Sequence, residues 1–181
     1  MSDIPPMNPD TDEATARQLE LARRQGDAYG AAIDHMVGDV AQGGGQQQAG
    51  DYLIGYAIEE AEGMYRMRNG ELQWEEPEGN LHVEVAVRDA ADGRFVPGLD
   101  VSVTMFDADG RDLGTHTQEM LWHPMMYHYA YNWDLPGDGV YTLKVDVAAA
   151  PFRRHDEING MRFAESVSVT FEEVKVRTGQ D

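Results

Sequence analysis

The segment LHVEVAVR at residues 81–88 alternates apolar and polar side chains without a break. Successive side chains of a β-strand point to opposite faces of a sheet, so this alternation predicts a strand with one buried face and one face in water. Leu81, Val83, Val85 and Val87 would form the buried face. The same period of two recurs in three later segments, at residues 99–105, 141–147 and 166–171.

Turn-forming residues separate these segments. Asp92-Gly93, the run at 107–110 and Gly137-Asp138-Gly139 combine glycine with aspartate, as tight turns require. Short alternating strands joined by turns, with no helical pattern between them, are typical of an antiparallel β-sandwich. We therefore predict a mainly β domain of seven or eight strands over 51–176, followed by a tail at 177–181.

A different pattern precedes the β region. Residues 1–10 are polar and proline-rich, which predicts disorder. Thr11 is a candidate N-cap, and apolar residues then recur every three or four positions, so we predict a helical extension over 11–42. The glycine- and glutamine-rich run at 43–50 predicts a flexible linker.

The composition excludes several functions. The 181 residues suit one domain with an appendage, and 33 acidic against 14 basic residues give a formal charge of -19, which argues against nucleic acid as a partner. This even excess of acid, with only two lysines, favours adaptation to high salt, as in a halophilic protein. A surface that gathers cations is the alternative. No apolar run approaches the roughly 20 residues of a membrane span.

The lack of cysteine limits the kinds of metal site that the chain can form, and the composition of residues 1–6 bears on its location. The chain has no cysteine, which excludes disulfides, thiolate zinc sites, iron–sulfur clusters and blue copper, so a metal would be held by His, Met or oxygen ligands. Residues 1–6 have neither a basic nor an apolar leader region, which predicts a cytoplasmic location. The alternative is an extracytoplasmic protein from which a leader has been removed.

Two regions carry residues of metal-ligand type. His82 and Glu84 lie two apart on the strand of 81–88, on its predicted wet face, where an imidazole and a carboxylate suit a hard or borderline cation. The segment 119–133 combines methionine and histidine side chains, which favour copper, especially Cu(I). The alternative for this segment is an aromatic and methionine cluster that fills the end of the core. His155 lies in a predicted loop, from which it could reach over a sheet face.

Five segments together resemble one protein family. Their order along the chain is similar to that of the bacterial periplasmic iron-transport accessory proteins encoded beside FTR-type ferrous-iron permeases. The resemblance covers roughly 51–176 and leaves the helical extension outside it. The segments are IGYAIE at 54–59 with Gly63-Met64, LHVE at 81–84, Met120 to His128, YTLKV at 141–145, and His155.

The resemblance implies a fold, a site and partners. It implies an immunoglobulin-like sandwich that forms a homodimer, binds copper, with iron or manganese as further metals, and works with an iron permease or another metal-accepting partner. It further implies His82, His128 and His155 as imidazole ligands, Glu84 as the nearby carboxylate and Met120 as the thioether. Met125 or Met126 are alternatives to Met120 because its spacing to His128 is one residue too long, and His123 is a candidate for an additional ligand.

Three functions follow from these patterns. The first is a non-enzymatic copper- or iron-binding protein for metal transport or sequestration. The second is a β-sandwich interaction module that recognises another protein through 122–133 and needs no metal. The third is a metallohydrolase that uses three histidines with Glu84 as the base. We favour the first because the candidate ligands combine soft and hard donors.

Overall fold

A computed structural model describes residues 7–11 and 13–178 of the chain. Within these residues one α-helix, α1 (Ala16–His35), continues into a π-helical turn (Met36–Val40) and precedes eleven strands. The strands are β1 (Gly43–Ala49), β2 (Tyr52–Glu59), β3 (Met64–Arg68), β4 (Glu71–Glu75), β5 (Leu81–Asp89), β6 (Val101–Phe106), β7 (Asp112–Thr117), β8 (Glu119–Trp122), β9 (Tyr127–Trp133), β10 (Gly139–Val147) and β11 (Val167–Val176).

The strands form an antiparallel β-sandwich, as the sequence predicts. One sheet has the order β1-β2-β5-β9-β8 and the other the order β11-β10-β6-β7, while β3 and β4 form a separate hairpin. The valines of β5 and the apolar residues of β6 and β10 fill one continuous core between the two sheets. Burial of apolar surface between the sheets therefore stabilises the domain.

The N-terminal helix is shorter than the predicted range 11–42. Its N-cap is Thr15, which forms a reciprocal capping box with Gln18. Thr11 instead donates its hydroxyl to Asp156 at 2.6 Å, so it is bonded to the loop before β11 and not to a helix. Asn8 is similarly bonded to Asn159 at 2.9 Å. The prediction of disorder over 1–10 is thus wrong for 7–10, and residues 1–6 lie outside the described part of the chain.

The predicted linker at 43–50 is also wrong, because Gly43–Ala49 is the edge strand β1. It pairs residue by residue with β2, from Gly43 opposite Ile58 to Ala49 opposite Tyr52. Its glycines serve close packing: a Cβ on Gly44 would lie 2.5 Å from the carbonyl oxygen of Tyr56 and 2.8 Å from a methyl of Val37. Glycine thus lets the π-helical turn lie directly on the sheet.

Helix α1 and the π-helical turn lie over the outer face of the five-stranded sheet. Met36 packs with Ala57 of β2 and Met126 in a second apolar cluster outside the main core. Tyr29 of the helix donates its hydroxyl to the carbonyl oxygen of Tyr127. The extension therefore buries a face that the alternation at 81–88 predicts to be wet, and all nine residues of β5 are buried.

Candidate metal centre

Strand register brings the candidate ligands to one face of the five-stranded sheet. Glu84 of β5 is opposite Ala57 of β2 and Ala130 of β9. His82 and His128 lie two residues from Glu84 and Ala130 respectively, so all of these side chains point to the same face. Because its neighbours across both strand pairs are alanines, Glu84 has space to approach the two imidazoles.

Three side chains converge under the helix. His82, Glu84 and His128 each offer one ligand atom, and these atoms lie within 4.8 Å of one another. The residues are 0%, 4% and 3% exposed. A buried cluster of two imidazoles and a carboxylate has the composition and the spacing of a metal site.

The cluster leaves polar atoms unsatisfied. His128 Nε2 lies 3.1 Å from Glu84 Oε1, but the two groups are not aligned for a hydrogen bond. Among the described residues, both nitrogens of His128, Nε2 of His82 and Oε2 of Glu84 have no hydrogen-bond partner. Unsatisfied buried polar atoms cost about 1–3 kcal/mol each, so their concentration here indicates a ligand that these atoms hold.

Asn132 orients the ring of His82. Its Oδ1 accepts a hydrogen bond from His82 Nδ1 at 2.6 Å, while its Nδ2 donates to the carbonyl oxygen of Glu62 at 2.8 Å. The second bond fixes the amide orientation, so Nδ1 of His82 carries the proton and Nε2 keeps its lone pair toward the cluster. A partner on the outer nitrogen is the usual arrangement for a metal-binding imidazole.

We expect Asn132→Ala to weaken copper binding by about 10- to 100-fold, because the imidazole would lose its fixed tautomer and orientation. The matched control is Asn80→Ala, which also removes hydrogen bonds to the backbone, those to Leu135, but away from the cluster. Competition titrations with a copper chelator would measure both variants. Equal affinity of the Asn132 variant and the wild type would show that this amide does not orient a ligand.

Burial makes the centre electrically neutral near pH 7. It raises the pKa of Glu84 to about 8, with smaller contributions from the carboxylates of Glu59 and Glu62. Burial lowers the pKa of His128 to about 4, assisted by His82 and His123, and it lowers the pKa of His82 as well. Both imidazoles are therefore uncharged near pH 7, and Glu84 holds a proton that a bound cation would displace.

Met126 lies beside the cluster. It is buried and lines a cavity of about 20 Å³ with Glu84, His128 and Met36. A cavity needs roughly 10–15 Å³ to hold a water, so the space suits one small ion or water. Of the three methionines that the sequence offered, the structure brings Met126 to the cluster.

Met120 and Met125 lie elsewhere. Met120 of β8 is opposite Tyr129, whose side chain is in the main core, so Met120 points away from the face of His128 and is half exposed. Met125 is partly exposed in the turn before β9. The ring of His123 is 6.4 Å from that of His128, which makes it a neighbour of the cluster.

His155 is not part of this cluster. Its side chain is 92% exposed, and its Nδ1 is paired with Glu13 at 2.7 Å. The loop that carries it lies against the segment before α1, through the bonds of Asp156 to Thr11 and of Asn159 to Asn8. The sequence could place His155 in a loop, but the loop is directed by contacts far apart in the chain.

The predicted wet face of β5 is the main error at the site. A wet His82 could be replaced without loss of stability, whereas the structure buries it completely and bonds it to Asn132. His82→Ala would leave a cavity and an unpaired amide oxygen, so the metal-free protein would lose stability. Asn132, which holds the ring of His82, was missed by the sequence analysis. One feature of the sequence points to Asn132: it follows His128 by four residues, so on an extended strand the two side chains lie on the same face.

The fold and the centre define a class of protein, an antiparallel β-sandwich with a buried cluster of metal-ligand type on the outer face of one sheet. Within that class, the chain belongs to the Iron_transport family of Fe²⁺ transport proteins, whose family profile matches residues 31–176. This confirms the resemblance seen in the sequence. Helix α1 lies mostly before the matched region.

Solved structures share the fold. FetP of uropathogenic Escherichia coli strain F11 is 18% identical and has a TM-score of 0.60, with 75% of this chain and 95% of FetP covered. A copper-bound variant of the same FetP is 17% identical and has a TM-score of 0.61, with 76% of this chain and 92% of the variant covered. Copper-reconstituted P19 of Campylobacter jejuni is 16% identical and has a TM-score of 0.57, with 72% of this chain and 94% of P19 covered. No curated protein matches the chain significantly.

The prediction of a cytoplasmic location is wrong. The finding against it is that the similar FetP was recombinantly expressed in the periplasm. A leader is cleaved on export, so the lack of one in a sequence carries no information about the compartment. In the described part of the chain no helix is long and apolar enough to cross a membrane.

Proposed function

We propose that this protein is a non-enzymatic carrier that binds copper, iron or both and assists ferrous-iron or copper transport or sequestration outside the cytoplasm. The observation that carries the proposal is the buried convergence of His82, Glu84 and His128 with unsatisfied ligand atoms. Two imidazoles, one carboxylate and the thioether of Met126 combine soft and hard donors. Such a set suits copper and also accommodates Fe(II) or Mn(II).

Enclosure of the centre supports a carrier over a hydrolase. A catalytic metal keeps an open position for water and substrate. The three cluster residues are at most 4% exposed, and the cavity beside them has only about 20 Å³. This space admits an ion but no organic substrate.

Copper titration tests the proposal. We expect about one copper per chain for the wild type in molar KCl, loss of this binding in His128→Ala, and retention in His155→Ala, because only His128 belongs to the cluster. Elemental analysis after desalting gives the stoichiometry. No copper in the wild type would overturn the proposal. Loss of copper in His155→Ala would show that this loop histidine reaches the ion.

One face of the hairpin β3–β4 is apolar and exposed to solvent. Tyr65 pairs with Trp74 and Met67 with Leu72, so these four apolar side chains share one face, and each is more than half exposed. The opposite face carries Arg66, which reaches Glu119 of β8 at 2.9 Å. A contiguous exposed apolar face on a soluble domain is typical of an interface, and we assign it to a homodimer.

Sedimentation velocity checks the assignment. We expect the wild type to sediment as a dimer and Trp74→Ser as a monomer, because the substitution removes a large aromatic contact. Met161→Ser, at an exposed apolar residue of the loop before β11, is the control that should remain dimeric. If the Trp74 variant stays a dimer, the interface lies elsewhere. If the wild type is a monomer, the hairpin is instead assigned to contact with the permease or another metal-accepting partner.

A further inference from the structure

A cleft of about 590 Å³ opens between helix α1 and two loops of the sandwich. The loops are residues 90–100 between β5 and β6 and residues 148–166 between β10 and β11. The residues that line this cleft do not include those of the metal cluster. Four partly buried aromatic side chains contribute to its wall: Tyr29, Phe95, Phe152 and Phe163. A concave site of this size with an aromatic lining is typical of a small-molecule pocket.

Phe163 has a backbone conformation that bulky residues rarely adopt. Its φ of 60° lies in the left-handed region. Both of its backbone polar groups are fixed, because its N–H donates to Asp51 Oδ2 at 2.8 Å and its carbonyl oxygen accepts from Arg154 Nη2 at 2.9 Å. Its ring centroid lies 5.9 Å from that of Phe152. Strained residues of this kind cluster at binding sites, where the surrounding structure holds them in place.

Two arginines give the cleft a charge opposite to that of the chain. Arg94 and Arg153 line it, in a chain with a formal charge of -19. Arg94 binds Asp92 through Nε at 2.9 Å and Nη2 at 2.8 Å, which leaves its Nη1 for a ligand. Arg153 is exposed, and its guanidinium forms no ion pair with any residue that the structure describes. Both side chains therefore have N–H donors to offer to an anion.

The carboxylate in the wall does not cancel this charge. Asp89 lines the cleft, but it is ion-paired with Arg162 and also accepts a hydrogen bond from the backbone N–H of Ala91 at 2.8 Å. Its negative charge is therefore balanced by an arginine that does not line the cleft. The charge that remains for a ligand is that of the two guanidinium groups.

We propose that this cleft binds a small anion that carries an aromatic ring, such as an aromatic carboxylate. The ring of the ligand packs against Phe152 and Phe163, and its acid group pairs with Arg153 and Arg94. The acidic charge of the rest of the surface repels the same anion, which favours this cleft over other places on the chain. The binding is separate from the metal centre and requires no metal.

Fluorescence titration of the full chain with the aromatic anion anilinonaphthalene sulfonate tests the cleft. About 0.1 M KCl suits the titration, because charges are screened less there than in molar salt, and circular dichroism checks the fold. We expect one dye per chain, and about tenfold weaker binding by Arg153→Gln, because this variant loses a charge-assisted hydrogen bond. The matched control is Arg23→Gln, at an exposed arginine of α1 that does not line this cleft, and it should keep the affinity.

Two further comparisons separate the ring from the charge. The neutral dye phenylnaphthylamine should bind to the wild type and to Arg153→Gln equally, because it has no acid group. Phe152→Ala should weaken the binding of both dyes, because it removes one of the rings that line the cleft. Benzoate should displace the anionic dye, whereas acetate at the same concentration should not.

Three results would overturn the proposal. If Arg153→Gln binds the anionic dye as tightly as the wild type does, apolar contacts alone hold the dye. If Trp74→Ser loses the dye while Phe152→Ala keeps it, the dye binds to the exposed hairpin and not to the cleft. If acetate displaces the dye as well as benzoate does, the cleft selects for charge alone and not for an aromatic ring.

Discussion

We expect saturating copper to raise the melting temperature of the wild type by about 5 to 10 °C, and we expect His128→Ala to abolish this rise. An ion at 100 times its dissociation constant stabilises the folded state by about 2.7 kcal/mol. For a chain of this size each kcal/mol corresponds to about 2–4 °C. The variant loses the rise because it removes one of the two imidazoles in the cluster.

Each protein should be compared with its own metal-free form, because truncation of a buried side chain changes stability by itself. Differential scanning calorimetry with and without copper gives both melting temperatures. His155→Ala is the matched histidine control and should show the full rise, since its side chain is exposed and outside the cluster. A wild-type curve that copper does not move would contradict the buried centre.

Copper affinity should rise about tenfold per pH unit between roughly pH 6 and 8 and level off above pH 8. The reason is the proton on Glu84, whose pKa burial raises to about 8 and which must leave before the carboxylate binds an ion. His128, with a pKa lowered to about 4, stays neutral across this range. Chelator competition at several pH values measures the slope, and Glu84→Gln should flatten it.

The metal-free protein should show the opposite trend in stability. The folded pKa of Glu84, about 8, lies above its ordinary 4.5, so its contribution is complete below pH 4.5 and is lost as the pH rises through 8. The folded pKa of His128, about 4, lies below its ordinary 6.5, so its contribution is complete above pH 6.5 and is lost as the pH falls through 4. Stability that falls from pH 6.5 to 8 without copper, but not with it, is the expected result. Identical profiles would contradict it.

Closure of the centre by α1 gives the N-terminal extension a role that the sequence did not reveal. The apolar periodicity around Ile33 and Val37 predicts a helix, but a periodicity does not say which surface a helix covers. In the fold these residues close the cavity beside Glu84 and His128. The face that carries Glu84 and His128 is therefore buried, and this burial is what raises the pKa of Glu84 and lowers that of His128.

The sequence by itself determined the properties that depend on neighbouring residues. The period of two at 81–88 predicted a strand, and it predicted that His82 and Glu84 lie on one face of that strand. These predictions succeed because side-chain alternation is a local property of extended backbone. Composition similarly limited the ligands to imidazole, thioether and oxygen.

Only the tertiary structure decided which residues meet. In the structure the glycine-rich run at 43–49 is an edge strand, and Met126 rather than Met120 lies beside Glu84 and His128. His155 lies outside the cluster, whereas Glu59 and Glu62 lie next to His82. Each of these outcomes depends on strand register or on contacts between residues far apart in the chain. Such contacts are fixed by the packing of the whole sandwich, because a shift of one residue in register turns every side chain to the other face.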